Sequence, residues 1–99
     1  MAEHAVVVNV SRYQPAPGRR EELLTAMHRV AERAIRQEGC FGAQTCLSDR
    51  EPDELVGISR WKSRDALAAF REMAEFEAEQ ERLTALLAGP AEHENLMPV

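Results

Sequence analysis

Residues 5–13, AVVVNVSRY, constrain the fold more than any other stretch of the chain. The segment is β-branched and apolar with no breaker, so it reads as a strand. Alternation puts Val6, Val8 and Val10 on one side and Ala5, Val7, Asn9 and Ser11 on the other. Neither side is clearly polar, and such a strand needs cover on both faces. In a chain of 99 residues that cover is hard to find. A domain of this length buries roughly two-thirds of the surface its unfolded chain exposes, which is enough for one core.

The following segments say what covers the first face. QPAPG at 14–18 ends the strand. Residues 19–38 carry Leu23, Met27, Val30, Ala31, Ala34 and Ile35 at three- and four-residue spacing, so a helix is predicted there, with Gly39 as its C′ residue. Residues 40–48 and 54–61 read as two strands joined by the polar turn DREPD, an antiparallel hairpin. Ser63 is an N-cap candidate for a second, long helical region reaching Ala88, with a break expected near Ala74–Glu75. Gly89-Pro90 stops it, and residues 91–99 form a weaker terminal strand. There are no repeats, low-complexity tracts or linkers, so residues 1–99 are read as one domain.

The order β, α, β, β, α, β makes this an α+β chain of ferredoxin-like type. It has a four-stranded antiparallel sheet with helices on one face. The other face would then stand open as an apolar patch larger than monomers usually tolerate. Pairing two sheets face to face removes the problem, so a homodimer is expected.

Composition narrows the function classes. Twelve basic against seventeen acidic residues give a net charge of −5, with no basic stripe, which argues against nucleic acid as a partner. The N-terminal MAEHAVVVNV has neither a basic region nor a cleavage site, and no stretch approaches the ~20 apolar residues of a membrane span. A cytoplasmic location without a membrane partner is the expectation. Cys40 and Cys46 lie too far apart along one strand to bridge and read as reduced core residues. Neither they nor His4, His28 and His93 form a metal-ligand spacing, so no metal is expected.

Four pieces in order carry a family resemblance: Pro17-Gly18 before the first helix, Glu38-Gly39-Cys40, Trp61-Lys62-Ser63 closing the third strand, and Asp65-Ala66-Leu67 opening the second helix. This pattern resembles the antibiotic biosynthesis monooxygenase domain family, of the dimeric α+β barrel superfamily, over roughly residues 5–98. The resemblance implies two subunits forming a barrel, with a pocket between helices and sheet in each. It also implies a cofactor-independent monooxygenase that oxidises an aromatic or quinol-like small molecule with oxygen. A non-catalytic, dimeric ligand-binding or accessory protein is the alternative. A related branch binds and degrades haem. Many members carry a histidine on the second helix ten residues after the tryptophan, and here Arg71 stands in that place. Arginine is a very poor iron ligand, which argues against haem.

Trp61 matches the family's tryptophan and shares parity with Leu55, Gly57 and Ser59, two of which are small enough to leave a hollow. It reads either as a pocket wall that stacks on a flat substrate or as a core anchor. Asn9 and Ser11 are polar side chains in an apolar strand, and each needs a hydrogen-bond partner, whether ligand, backbone or water. Together Trp61, Asn9, Arg71 and His28 are the catalytic candidates. Ser11, Tyr13, Ser59 and Phe70 are the substrate-binding candidates. An electron-rich, acidic substrate would need a dry pocket, a proton acceptor and donors for the developing anion.

Overall fold

A computed structural model describes residues 7–99. Ala5, Val6 and His4, which the strand and histidine readings touch, lie outside them. The chain runs β1 (Val7–Tyr13), α1 (Arg20–Ile35), β2 (Cys40–Leu47), β3 (Leu55–Trp61), α2 (Arg64–Arg71), α3 (Ala74–Thr84) and β4 (Glu92–Leu96). The four strands form one antiparallel sheet in the order β2-β3-β1-β4, with the helices packed on one face. This is the α+β, ferredoxin-like arrangement expected from the element order.

Local chemistry accounts for most boundaries. Gly18 has φ +76, a left-handed conformation that suits glycine, and it turns the chain into α1. Helix α1 stops at Ile35, short of Gly39, because Gln37 folds back. Its side-chain Nε2 donates to the Arg33 carbonyl at 3.0 Å and its backbone N–H to the Ala34 carbonyl at 2.9 Å. Gly39 is therefore not a left-handed helix cap. It is small because β2 begins directly against α2, where a Cβ would stand 2.5 Å from that of Ala66. Ser63 caps α2 as expected, its Oγ accepting the Ala66 N–H at 3.0 Å.

The long helical region divides at Glu72–Met73, just before the expected point, with Met73 extended (ψ 137). The apolar pattern explains the division without glycine or proline. At about 100° per residue, a continued helix would carry the Phe70 face on through Ala74, Glu77 and Glu81. Phe76 and Leu83 lie roughly 120° or more away from that face in an unbroken helix. The break re-phases α3, so that Leu83 is buried and Phe76 stacks on Phe70 with ring centroids 4.9 Å apart.

The helix face of the sheet follows from the register. Val7, Asn9, Ser11 and Tyr13 of β1 stand in rows with Trp61, Ser59, Gly57 and Leu55 of β3. Two apolar clusters form above these rows. One joins Tyr13, Leu23, Ala26, Met27, Leu55, Leu83 and Leu86; the other joins Val7, Ala34, Trp61, Leu67 and Phe70. Each fully buried leucine contributes about 1.5–3 kcal/mol of transfer free energy. Helix α3 is also tied to α1 through Glu79, which is only 1% exposed. Its carboxylate accepts from Arg29 Nε at 3.2 Å and Arg82 Nη1 at 2.9 Å, with Arg33 at 3.9 Å.

The opposite sheet face carries Val8, Val10, Val56, Ile58 and Leu96 around an Arg12–Glu94 ion pair of 3.2 Å. No helix covers it. Among the described residues no helix is long and apolar enough to cross a membrane.

Candidate functional site

The two core clusters do not meet everywhere. Between them lies a cavity of about 70 Å³. Its origin is a coincidence of small side chains contributed by several elements. Ser11, Gly57 and Thr45 make one row of the sheet floor, and Ser59 and Ala43 extend the next. Val30, Ala31 and Ala34 of α1 lie over them. Met27, Phe70, Phe76 and Leu83 close the walls, and Gln80, Tyr13 and His93 complete the rim. Gly57 is pivotal: a Cβ there would meet only the Met27 Cε, at 3.7 Å, so glycine is present for space and not for backbone strain. The lining is apolar with a few convergent polar groups, the usual character of a small-molecule site. The larger grooves elsewhere are open surface depressions, such as the one between α1 and α3 bordered by Arg19, Glu22, Arg29 and Arg82.

Polar groups concentrate on the β1–β4 side. Asn9 and Ser11, both buried, project toward the helices and pair across the strands with Asn95 and His93. Asn9 Nδ2 donates to Asn95 Oδ1 at 2.8 Å. Ser11 Oγ lies 2.8 Å from His93 Nδ1 and 3.4 Å from Asn9 Oδ1. The His93 ring stands edge-on to Tyr13, with centroids 6.0 Å apart and planes at 77°. Partial burial and the positive charge of Arg71 both push the His93 imidazole below its ordinary pKa, burial being the larger cause. The ring is therefore held toward its neutral form. Burial likewise raises the Cys40 thiol, which donates to the Gly42 carbonyl at 3.4 Å.

The expected site residues divide into three groups. Ser11, Tyr13, Ser59 and Phe70 border the cavity. Trp61 and Asn9 stand behind it. Trp61 is 0% exposed, packs against Phe70 at a centroid distance of 5.2 Å, and commits its indole N–H to Ser59 Oγ at 2.8 Å. The hollow expected beside the indole exists over Gly57 and Ser59, but the indole itself is not part of its lining. Arg71, half-buried in the last turn of α2, acts on His93 through its charge. His28 is exposed on α1 and does not border the cavity.

His93 is the residue that sequence reasoning passed over. It sits in a weak strand between Glu92 and Glu94, and only the pairing Ser11↔His93 brings it to the rim. The available signal was Ser11 itself, a buried hydroxyl in need of a partner. Among the described residues no group of three or more His, Cys, Asp or Glu side chains is placed to hold a metal ion.

The family model for antibiotic biosynthesis monooxygenases matches residues 6–82. The chain belongs to this family. Solved structures of the family's fold overlay it closely. Rv0793 from Mycobacterium tuberculosis is 25% identical, with a TM-score of 0.86 over 94% of each chain. SnoaB from Streptomyces nogalater, a cofactor-independent oxygenase solved as a single-site variant, is 23% identical with a TM-score of 0.83 over 93% of this chain and 91% of its own. PA3566 from Pseudomonas aeruginosa is 16% identical with a TM-score of 0.84 over 100% and 99%. No curated protein matches the chain. Within that fold Trp61 is a core residue whose N–H holds Ser59 on the cavity floor.

Proposed function

We propose that the protein is a cofactor-independent monooxygenase that oxidises an aromatic or quinol-like small molecule with oxygen. One observation carries this reading: an apolar cavity on the helix side of the sheet, with its polar groups gathered on one rim. Oxidation of this kind needs a dry pocket in which an electron-rich substrate loses a proton and its anion reduces oxygen. Membership of the family and the likeness to SnoaB support it. We assign Ser11, Tyr13, Ser59 and Phe70 to substrate contact. Asn9 and Trp61 hold Ser11 and Ser59 in place, and Arg71 supplies positive charge for the anion.

The size of the cavity favours a single ring over a polycycle. A cavity of about 150 Å³ accommodates benzene, and the space here is about half of that. A hydroquinone therefore enters by displacing the half-buried Phe76 and Gln80 at the rim.

Residues 1–99 act in this reading as one domain and as a homodimer. Two copies press together the sheet faces that carry Val8, Val10, Val56 and Ile58. The two unpaired thiols suit a reducing compartment, and we place the protein in the cytoplasm.

Binding without turnover is the second reading. The complete burial of Trp61 favours it, because its N–H is already engaged and is not offered to a ligand. Oxygen uptake with hydroquinone as substrate separates the two. Uptake by the wild type that falls at least tenfold in Gly57→Val supports the monooxygenase. Equal uptake by both proteins overturns it. Thermal stabilisation by hydroquinone with no uptake selects the binding protein.

A further inference from the structure

We infer that His93 is the proton acceptor of the cavity, taking the hydroxyl proton of a bound phenol or quinol onto Nε2. The inference rests on the reading of the cavity as a site for such molecules, and it adds the residue that begins their chemistry.

Asn9 uses Nδ2 to donate to Asn95 Oδ1 at 2.8 Å, which leaves its Oδ1 as an acceptor. The side-chain donor within reach of that oxygen is the Ser11 hydroxyl, at 3.4 Å. A buried acceptor left without a donor is costly, so the Ser11 hydrogen is drawn to Asn9. A serine hydroxyl has a single hydrogen. Once it is spent on Asn9, the 2.8 Å contact between Ser11 Oγ and His93 Nδ1 requires the ring to donate. A neutral imidazole with its hydrogen on Nδ1 carries its lone pair on Nε2. Nε2 has no hydrogen-bond partner among the described residues, and the ring borders the cavity. The row Asn95–Asn9–Ser11 thus fixes the tautomer and leaves the basic nitrogen free.

The surroundings keep that nitrogen unprotonated until substrate arrives. Tyr13 of β1 stands edge-on to the ring, and the charge of Arg71 reaches it from α2. Glu94, next in the strand, points to the other sheet face, where it pairs with Arg12; Glu92 lies on that same face. No carboxylate therefore faces His93 from its own strand to favour the imidazolium. In the transfer itself the substrate O–H bond breaks, an N–H bond forms at Nε2, and the electron pair stays on oxygen. No electrons change hands. The phenolate is left in the cavity beside the imidazolium, and the proton returns to water from an exposed edge strand.

Two measurements test this. Nitrogen-15 NMR of the histidines, with His93→Gln to assign the signals, should show His93 neutral with its hydrogen on Nδ1. A hydrogen on Nε2 overturns the inference. The second is anaerobic binding of 4-nitrocatechol, whose colour reports ionisation. The wild type should bind it as the phenolate at a pH about one unit below that of the free probe, a tenfold shift in ionisation. His93→Gln, which can still bond Ser11, should bind it without that shift. A shift retained in the variant overturns the inference. A probe that binds to the wild type unshifted overturns the base and leaves the aromatic site standing. A shifted probe with no oxygen uptake from quinols supports the base and overturns the monooxygenase. A probe that does not bind overturns both.

Discussion

Replacing Gly39 with alanine is the most direct test of how β2 and α2 are fitted together. The added Cβ would stand 2.5 Å from the Ala66 Cβ and 3.4 Å from two carbons of Lys62. Carbon atoms at rest lie about 3.5–4.0 Å apart, so the first contact is short by about an ångström or more. Neither Cβ can swing away, because each is bonded directly to the main chain. The main chain is held as well: the Lys62 N–H donates to the Gly39 carbonyl at 2.8 Å, and Ser63 fixes the first turn of α2. Overpacking costs about 1–3 kcal/mol, and the rigidity of this site places it in the upper half. Loss of glycine's freedom in the unfolded chain returns about 0.4–1 kcal/mol. The net expectation is a loss of about 1–2.5 kcal/mol, or a fall in Tm of about 4–20 °C for a domain of this size. Urea unfolding followed by the fluorescence of Trp61, the sole tryptophan and fully buried, reads this directly. The double variant Gly39→Ala, Ala66→Gly removes the collision, so it should be less destabilised than the sum of its parts by about 1–2 kcal/mol. A single variant as stable as the wild type, or strictly additive effects, would falsify the packing argument.

Three further outcomes are expected. Gly57→Val should fill the cavity without harming the fold, because its added atoms enter open space above the Met27 Cε contact at 3.7 Å. Unfolding midpoints should match the wild type within about 0.5 kcal/mol, while hydroquinone no longer raises Tm. Stability should fall as pH drops below 6.5, the ordinary histidine value, because the unfolded chain then takes up a proton that His93, held lower, still refuses. The loss should level off once the folded histidine also titrates, and His93→Gln should flatten that part of a chemical-denaturation profile; an unchanged profile contradicts the assignment. Ile58→Asp, on the sheet face away from the helices and opposite Val10, should convert a homodimer to monomer in light scattering without changing the circular dichroism of the subunit.

Much of this molecule was legible in the residues. Alternation in β1 and the helical stripe of α1 are local patterns, since side-chain periodicity follows from backbone geometry. They gave the element order, and with it the sheet and the one-sided helices. The division of α2 from α3 was also present, as a slip in the phase of the apolar stripe between Phe70 and Leu83. The resemblance drawn from Trp61-Lys62-Ser63 and its companion motifs led to the family whose model matches residues 6–82.

The site was less legible, because it depends on pairings between distant residues. Ser11 meets His93 across 82 positions and Asn9 meets Asn95 across 86, through the register of an edge strand whose sequence, EHENL, has no clear pattern. Strand propensity does not fix register where both edges of the pattern are polar. The same applies to the hollow over Gly57, which exists only because small residues from β1, β2, β3 and α1 converge there. The sequence by itself determined which elements form and in what order, since that information is local. Only the tertiary structure decided which side chains share a cavity, since that information lies in long-range register and packing.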